Sequence, residues 1–224
     1  MRRKTMNNQL EAQLHHNRKY ETATFGMGCF WGHEAYFGSL PGVMRTRVGF
    51  AGGTLLLPSY RNMGDHTETI EIDFDTNRIT YEEILKHFWR NHYPNRDEYK
   101  GRQYISLLLY HSERQHRMIQ KVREEMEAEL GESIETEVKS YDQFTLAEAR
   151  HQKYYLQRYP RVLEQLADWF PDTNALIDST VAARLNGFVK GFGNRDAVLE
   201  EIATWPISEI YQQELITRLK MLKW

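Results

Sequence analysis

Thr22-Ala23-Thr24-Phe25-Gly26-Met27-Gly28-Cys29-Phe30-Trp31-Gly32-His33-Glu34-Ala35-Tyr36-Phe37 passes from an apolar, strand-like segment to a helix-like one through a glycine-flanked cysteine. It is the only cysteine in 224 residues. Glycines at 28 and 32 permit a tight turn and close approach of the backbone to a ligand. A thiol at a strand-to-helix turn meets the positive end of the helix dipole, which favours the thiolate. Phe30 and Trp31 can wall off whatever the sulfur attacks. A lone cysteine is ordinarily a small buried hydrophobe, but the glycines and the aromatic pair argue for a reactive one.

The alternation of strand and helix continues outward. A helix over 31–40 stops at the turn pair Pro41-Gly42, and a strand over 43–50 closes at Gly52-Gly53. Pro58, Gly64 and Asp65 mark 54–66 as a loop. Glu68-Thr69-Ile70-Glu71-Ile72-Asp73-Phe74 alternates polar and apolar, as a half-buried strand does. Thr80 and Glu83 form a capping box opening a helix through His92, with Ile84, Leu85, Phe88 and Trp89 on one face. After Pro94 comes a polar loop to Arg102, then the most apolar strand candidate, 104–110, expected at the centre of the sheet. Ser112 and Gln115 cap a helix bearing Met118, Ile119, Val122, Met126 and Leu130, stopped by Gly131. A strand over 134–141 and a helix over 146–156 follow. The order β-α-β-β-α-β-α-β-α predicts an α/β fold: a two-layer α+β sandwich, a mixed sheet with flanking helices around a ferredoxin-like core.

The ends differ in character. Residues 1–20 are polar and aperiodic and read as a frayed arm. Residues 161–224 hold only helical patterns, broken at Pro171, Gly191-Phe192-Gly193 and Pro206. The last, 207–222, puts Ile210, Tyr211, Leu215, Leu219 and Leu222 on one side, and Arg184, Asn186 and Lys190 read as a solvated face. The expected organisation is an arm (1–20), a catalytic domain (21–160) and a helical extension (161–224).

Hydrophobic content of 41% with 27% charged residues is that of a globular chain. A net charge of −2 lacks the basic surplus of a nucleic-acid binder. No apolar run reaches the ~20 residues a membrane span needs. The basic N-terminus lacks the apolar core of a signal peptide. A single cysteine forms no internal disulfide, and together these features point to the cytoplasm. Histidines such as His87, His92 and His111 lack zinc-ligand spacing, so no metal site is expected.

A nucleophilic thiolate needs an acid to protonate its leaving group. The chain offers Asp65-His66-Thr67-Glu68 at the entry to a strand, and Tyr60 and Tyr104 beside turns. Singly, Glu68 reads as a solvated charge, the tyrosines as sheet packing, and His66 as a structural hydrogen-bonder. Chain order alone does not bring them together.

A collinear series of motifs does. Gly28-Cys29-Phe30-Trp31-Gly32, Pro41-Gly42-Val43, Gly49-Phe50-Ala51-Gly52-Gly53, Pro58-Ser59-Tyr60, His66-Thr67-Glu68, Gly101-Arg102-Gln103-Tyr104-Ile105-Ser106 and His151-Gln152-Lys153-Tyr154-Tyr155-Leu156 run in order through about 22–158. The chain thereby resembles the peptide methionine sulfoxide reductases of the A type, which act on the S epimer. The resemblance implies that Cys29 attacks the sulfoxide sulfur and ends as a sulfenic acid. It implies that Glu68 is the acid at the sulfoxide oxygen, that Tyr60 and Tyr104 hydrogen-bond the same oxygen, and that Phe30 and Trp31 hold the methyl group. A carboxyl in an apolar pocket stays protonated by desolvation, which suits the role given to Glu68. It further implies oxidised methionine or oxidised proteins as partners, no bound cofactor, and an external thiol reductant.

Three departures from the family qualify this. There is no further cysteine to resolve the sulfenic acid, so an external thiol such as glutathione, glutaredoxin or thioredoxin must do so. Tyr99 stands where the family usually has an aspartate, and Ile105 where it has an arginine. The loops between Tyr60 and Glu68 and between His92 and Gly101 are short, which suggests a more open site for free methionine sulfoxide or another methyl sulfoxide. The competing functions are a sensor that binds oxidised methionine without turnover and a cysteine peroxidase.

Overall fold

A computed structural model describes residues 6–16, 18–95 and 101–224. Helix α1 (Met6–His15) precedes strand β1 (Tyr20–Met27), helix α2 (Phe30–Gly38), strands β2 (Val43–Ala51) and β3 (Thr67–Asp75) and helix α3 (Tyr81–Arg90). Strand β4 (Ser106–Tyr110), helix α4 (Glu113–Leu130) and strands β5 (Glu137–Ser140) and β6 (Phe144–Leu146) complete the sheet portion. Helices α5 (Pro160–Gln165), α6 (Thr173–Ile177), α7 (Thr180–Lys190), α8 (Arg195–Ala203) and α9 (Glu209–Met221) follow.

The six strands lie in the order β5-β4-β1-β3-β2-β6. The inner four are antiparallel, in the arrangement of a ferredoxin-like unit, and β5 adds parallel to β4, which makes the sheet mixed. Strand β4 is interior, but β1 and β3 hold the middle. The 146–156 segment is not a helix: its start pairs as β6 with β2, and two short 3₁₀ turns follow. The polar run from Glu148 to Lys153, broken only by Ala149, could not sustain a helical stripe there, whereas an open edge of β2 was available for pairing.

Register assigns the faces. Thr46↔Ile72, Val48↔Ile70 and Phe50↔Glu68 put Glu68 on the same face as Ile70, Ile72 and Phe74, over which α2, α3 and α4 close the main core. The acid is thus an extension of the hydrophobic layer. The other face carries buried charge: Arg47 donates to Glu71 (2.6 Å) and Asp73 (2.9 Å), Arg45 also pairs with Asp73, and Thr22 donates to Asp73 at 2.6 Å. The expected caps are present. Thr80 and Glu83 form the capping box of α3, the Ser112 hydroxyl accepts from the Gln115 N–H, and Gly131 ends α4 in the left-handed conformation. Leu130, however, is exposed.

A second core joins the last five helices to α1. Leu10 and Leu14 pack there with Trp169, Trp205, Leu215 and Leu219. Residues 6–15 are therefore helical rather than frayed, because a four-residue leucine spacing is enough once a partner surface exists. The extension grips α2, the helix that begins just after Cys29. Helices α2 and α7 touch backbone to backbone, and a Cβ on Gly38 would meet the Ala183 carbonyl at 2.8 Å, one on Gly187 the Ala35 carbonyl at 2.8 Å. Arg184 donates to the carbonyls of Gly38 and Val43 (both 2.8 Å) and pairs with Glu201 at 2.6 Å. Asn186 accepts from the Leu156 N–H at 3.0 Å. Both residues are buried, so of the three expected in a solvated face only Lys190 is exposed. No helix among the described residues is long and apolar enough to cross a membrane.

Candidate active site

Strand β1 ends at Met27, and Gly28 (φ 88°) makes the turn that seats Cys29 as the N-cap of α2. The left-handed φ suits glycine there. Gly32 faces open space, so packing does not require it. Strands β1 and β3 are antiparallel with Gly26 opposite Thr69, which brings Glu68 to the same end of the sheet. Glu68 is 1% exposed. One oxygen accepts the Phe30 N–H at 3.1 Å and the other the Gln103 side-chain amide at 2.8 Å. Its carboxyl therefore occupies the N-terminus of the helix that begins at the cysteine.

Cys29 itself is exposed. Partial burial raises its thiol above the ordinary value, the Trp31 backbone N–H draws it down, and the Glu68 charge pushes it up again. The expected lowering by the helix N-terminus is present but loses, first to burial and then to the Glu68 charge that shares that end of the helix.

The loop between β2 and β3 delivers Tyr60, and the 3₁₀ turn Gly101–Tyr104 before β4 delivers Tyr104. The two hydroxyls hydrogen-bond one another, and burial with the nearby Glu68 and Cys29 raises the Tyr60 phenol. The described site thus gathers Cys29, Glu68, Tyr60 and Tyr104 at one sheet end. Phe30 lies buried against Phe50, while the half-buried Trp31 stacks on Tyr154 at 3.8 Å between centroids and 3° between planes.

Several members were not singled out from the sequence. Buried His151 accepts from the Trp31 indole at 3.1 Å and lies 4.5 Å from the Tyr60 ring. Burial lowers its imidazole below the usual range. Glu148 accepts the Tyr60 N–H at 3.3 Å. Gln103 binds Glu68 directly. Lys153 and Glu34, both fully buried, join the last of the quoted motifs to α2 through Nζ and backbone N–H bonds of 2.8 Å each. Gln103, His151, Lys153 and Tyr154 stand inside the quoted motifs, which was the available signal. His66 plays the expected structural part: Nδ1 accepts from Gly53 N–H at 3.2 Å and Nε2 bonds the Leu55 carbonyl at 2.8 Å. Tyr99 lies outside the described residues. Among the described residues no group of three His, Cys, Asp or Glu could hold a metal.

Comparison with known proteins settles the family. The model of the peptide methionine sulfoxide reductase family matches residues 21–182. The chain belongs to the peptide methionine sulfoxide reductase family. The match runs beyond residue 160, into α7. A peptide methionine sulfoxide reductase of Drosophila melanogaster is 44% identical over 193 residues, covering 86% of this chain and 77% of its own length. The A5 enzyme of Oryza sativa subsp. japonica is 37% identical over 200 residues, covering 84% and 78%. The crystal structure of reduced Mxr1 from Saccharomyces cerevisiae superposes with a TM-score of 0.59 at 28% identity, over 64% of this chain and 87% of that one. As a member of this oxidoreductase family, the chain reduces methionine sulfoxide.

Proposed function

We propose that Cys29 carries out the reduction on methionine-S-sulfoxide, with Glu68, Tyr60 and Tyr104 acting on the sulfoxide oxygen and Phe30 and Trp31 holding the methyl group. The observation that carries this is the placement of a reactive-type thiol, a buried carboxyl and a pair of bonded phenols at one end of the sheet, against an aromatic wall. Glu68 supplies a proton to the oxygen as its charge develops, and the phenols share that charge. Overall the oxygen passes from substrate sulfur to Cys29: the sulfoxide gains two electrons and becomes the thioether, and the thiol becomes a sulfenic acid. One external thiol then forms a mixed disulfide with loss of water, and a second releases Cys29 and leaves as the disulfide. Glutathione, glutaredoxin or thioredoxin, as found in a reducing compartment such as the cytoplasm, are the reductants that fit a chain with one cysteine.

Turnover of both sulfoxide epimers with dithiothreitol, for the unaltered chain and Cys29→Ser, tests the reading. Reduction of the S epimer alone, lost in Cys29→Ser, is expected. Binding without turnover would make the protein a sensor. Hydroperoxide reduction that survives Trp31→Ala would make it a peroxidase.

A further inference from the structure

Leu56 and Leu57 are, among the described residues, the two most exposed large hydrophobic side chains, at 80% and 85%. No other two such residues are adjacent in the chain: Tyr20 lies on β1, Leu130 on α4, and Ile210 and Met221 at opposite ends of α9. Leu56 and Leu57 are consecutive, and they stand three residues before Tyr60, on the loop that joins β2 to β3 at the Cys29 end of the sheet. Their exposure is not that of a slack loop. The Leu55 carbonyl is tied to buried His66 at 2.8 Å, the Thr54 N–H and hydroxyl donate to Asp65 (2.7 and 3.2 Å), and Arg102 donates to the Asp65 carbonyl at 3.0 Å. Pro58, which follows, is buried. The pair is thus held out on a fixed rim, two residues from His66 through one hydrogen bond and next to the chain segment that ends in Glu68.

We propose that Leu56 and Leu57 form an apolar ledge that receives the apolar residues flanking an oxidised methionine in a locally unfolded polypeptide; this rests on the reductase reading above. Methionine is mostly a core residue, so in a protein its sulfoxide becomes reachable where an apolar stretch has left its core. The neighbours of such a sulfoxide are apolar and exposed to water. A sulfoxide side chain reaching Cys29 carries those neighbours over the rim, where burying them against two leucines gains binding that free methionine sulfoxide cannot collect.

The test is Leu56→Ser/Leu57→Ser, compared with the unaltered enzyme on three substrates: N-acetyl-methionine sulfoxide, a peptide with the sulfoxide between leucines, and one with it between serines. Dithiothreitol serves as reductant, so that docking of a protein reductant leaves no trace. The leucine-flanked peptide should lose about tenfold in kcat/KM, through KM, with the other two substrates unchanged. Equal losses on both peptides, no loss on either, or a loss appearing only when a protein reductant replaces dithiothreitol would overturn the ledge. Absence of turnover on every sulfoxide by the unaltered enzyme would instead overturn the reductase reading itself.

Discussion

Helix α2 is closed at both ends by buried charge, and the two ends do opposite work. At its N-terminus Glu68 accepts the Phe30 N–H, and at its C-terminus Arg184 donates to the Gly38 carbonyl. An anion at the start and a cation at the end both complement the helix dipole. Arg184 completes its bonding by pairing with Glu201, and its neighbourhood is structural. Glu68 sits beside an exposed thiol, and its charge raises that thiol. A helix N-terminus is therefore no guarantee of a ready thiolate. Here burial, with the Glu68 charge added to it, outweighs the Trp31 N–H and holds the resting cysteine as the thiol.

Breaking the C-terminal closure should have the largest effect. Arg184→Met leaves two backbone carbonyls without this donor and the half-buried Glu201 with the Trp205 indole N–H but no ion pair, and should cost about 3–5 kcal/mol of stability. Chemical denaturation would measure the loss. Sulfoxide reduction per folded molecule should change little, because the arginine touches none of the site residues. A stability close to that of the unaltered chain would mean that the extension does not hold α2.

Breaking the N-terminal closure should invert that pattern. Glu68→Gln keeps the acceptor for the Phe30 N–H and so should preserve the fold, while kcat/KM falls by about 10²–10³ because the amide cannot pass a proton to the sulfoxide oxygen. The same substitution sharpens the account of the thiol. Cys29 in the unaltered chain, with its pKa raised, stays protonated at neutral pH, so its alkylation by iodoacetamide should climb only as pH rises past the ordinary thiol range. Removing the Glu68 charge shifts that profile to lower pH, giving about two- to fivefold faster alkylation at pH 8. An unmoved profile would show that burial alone sets the thiol.

What the sequence made legible follows the same division. The strand and helix periods from 22 to 140, the capping box at Thr80 and Glu83, and the spacing of the motifs all depend on local pattern, and they describe the sheet, its helices and the residues around Cys29. His151, Gln103 and Glu148 escaped singling out because their roles come from rings and amides meeting across the fold, which no period records. Arg184 and Asn186 were misread for a related reason. On an isolated α7 they mark a polar face, but α2 and the 3₁₀ turn at Leu156 offer that face unsatisfied backbone groups, and burial with hydrogen bonds replaces solvation. The α1 helix escaped because its two leucines are too few to announce a stripe alone.

Helix α9 gives the smallest and cleanest test of how far pattern reading reaches. Ile210, Tyr211, Leu215, Leu219 and Leu222 were placed on one side, yet Ile210 is 78% exposed while Leu215, Leu219 and Leu222 are buried. The steps from 211 through 215 and 219 to 222 are four, four and three residues, which keep to one face. Position 210 lies about 100° behind 211 at 3.6 residues per turn, and so turns off the edge of that stripe. Tyr211 also fixes the phase, since its hydroxyl donates to Gln9 of α1. Ile210→Ser should therefore alter stability by no more than about 0.5 kcal/mol, as thermal denaturation would register. A loss of the size seen on emptying a core position would mean that the exposed face of α9 is covered in solution.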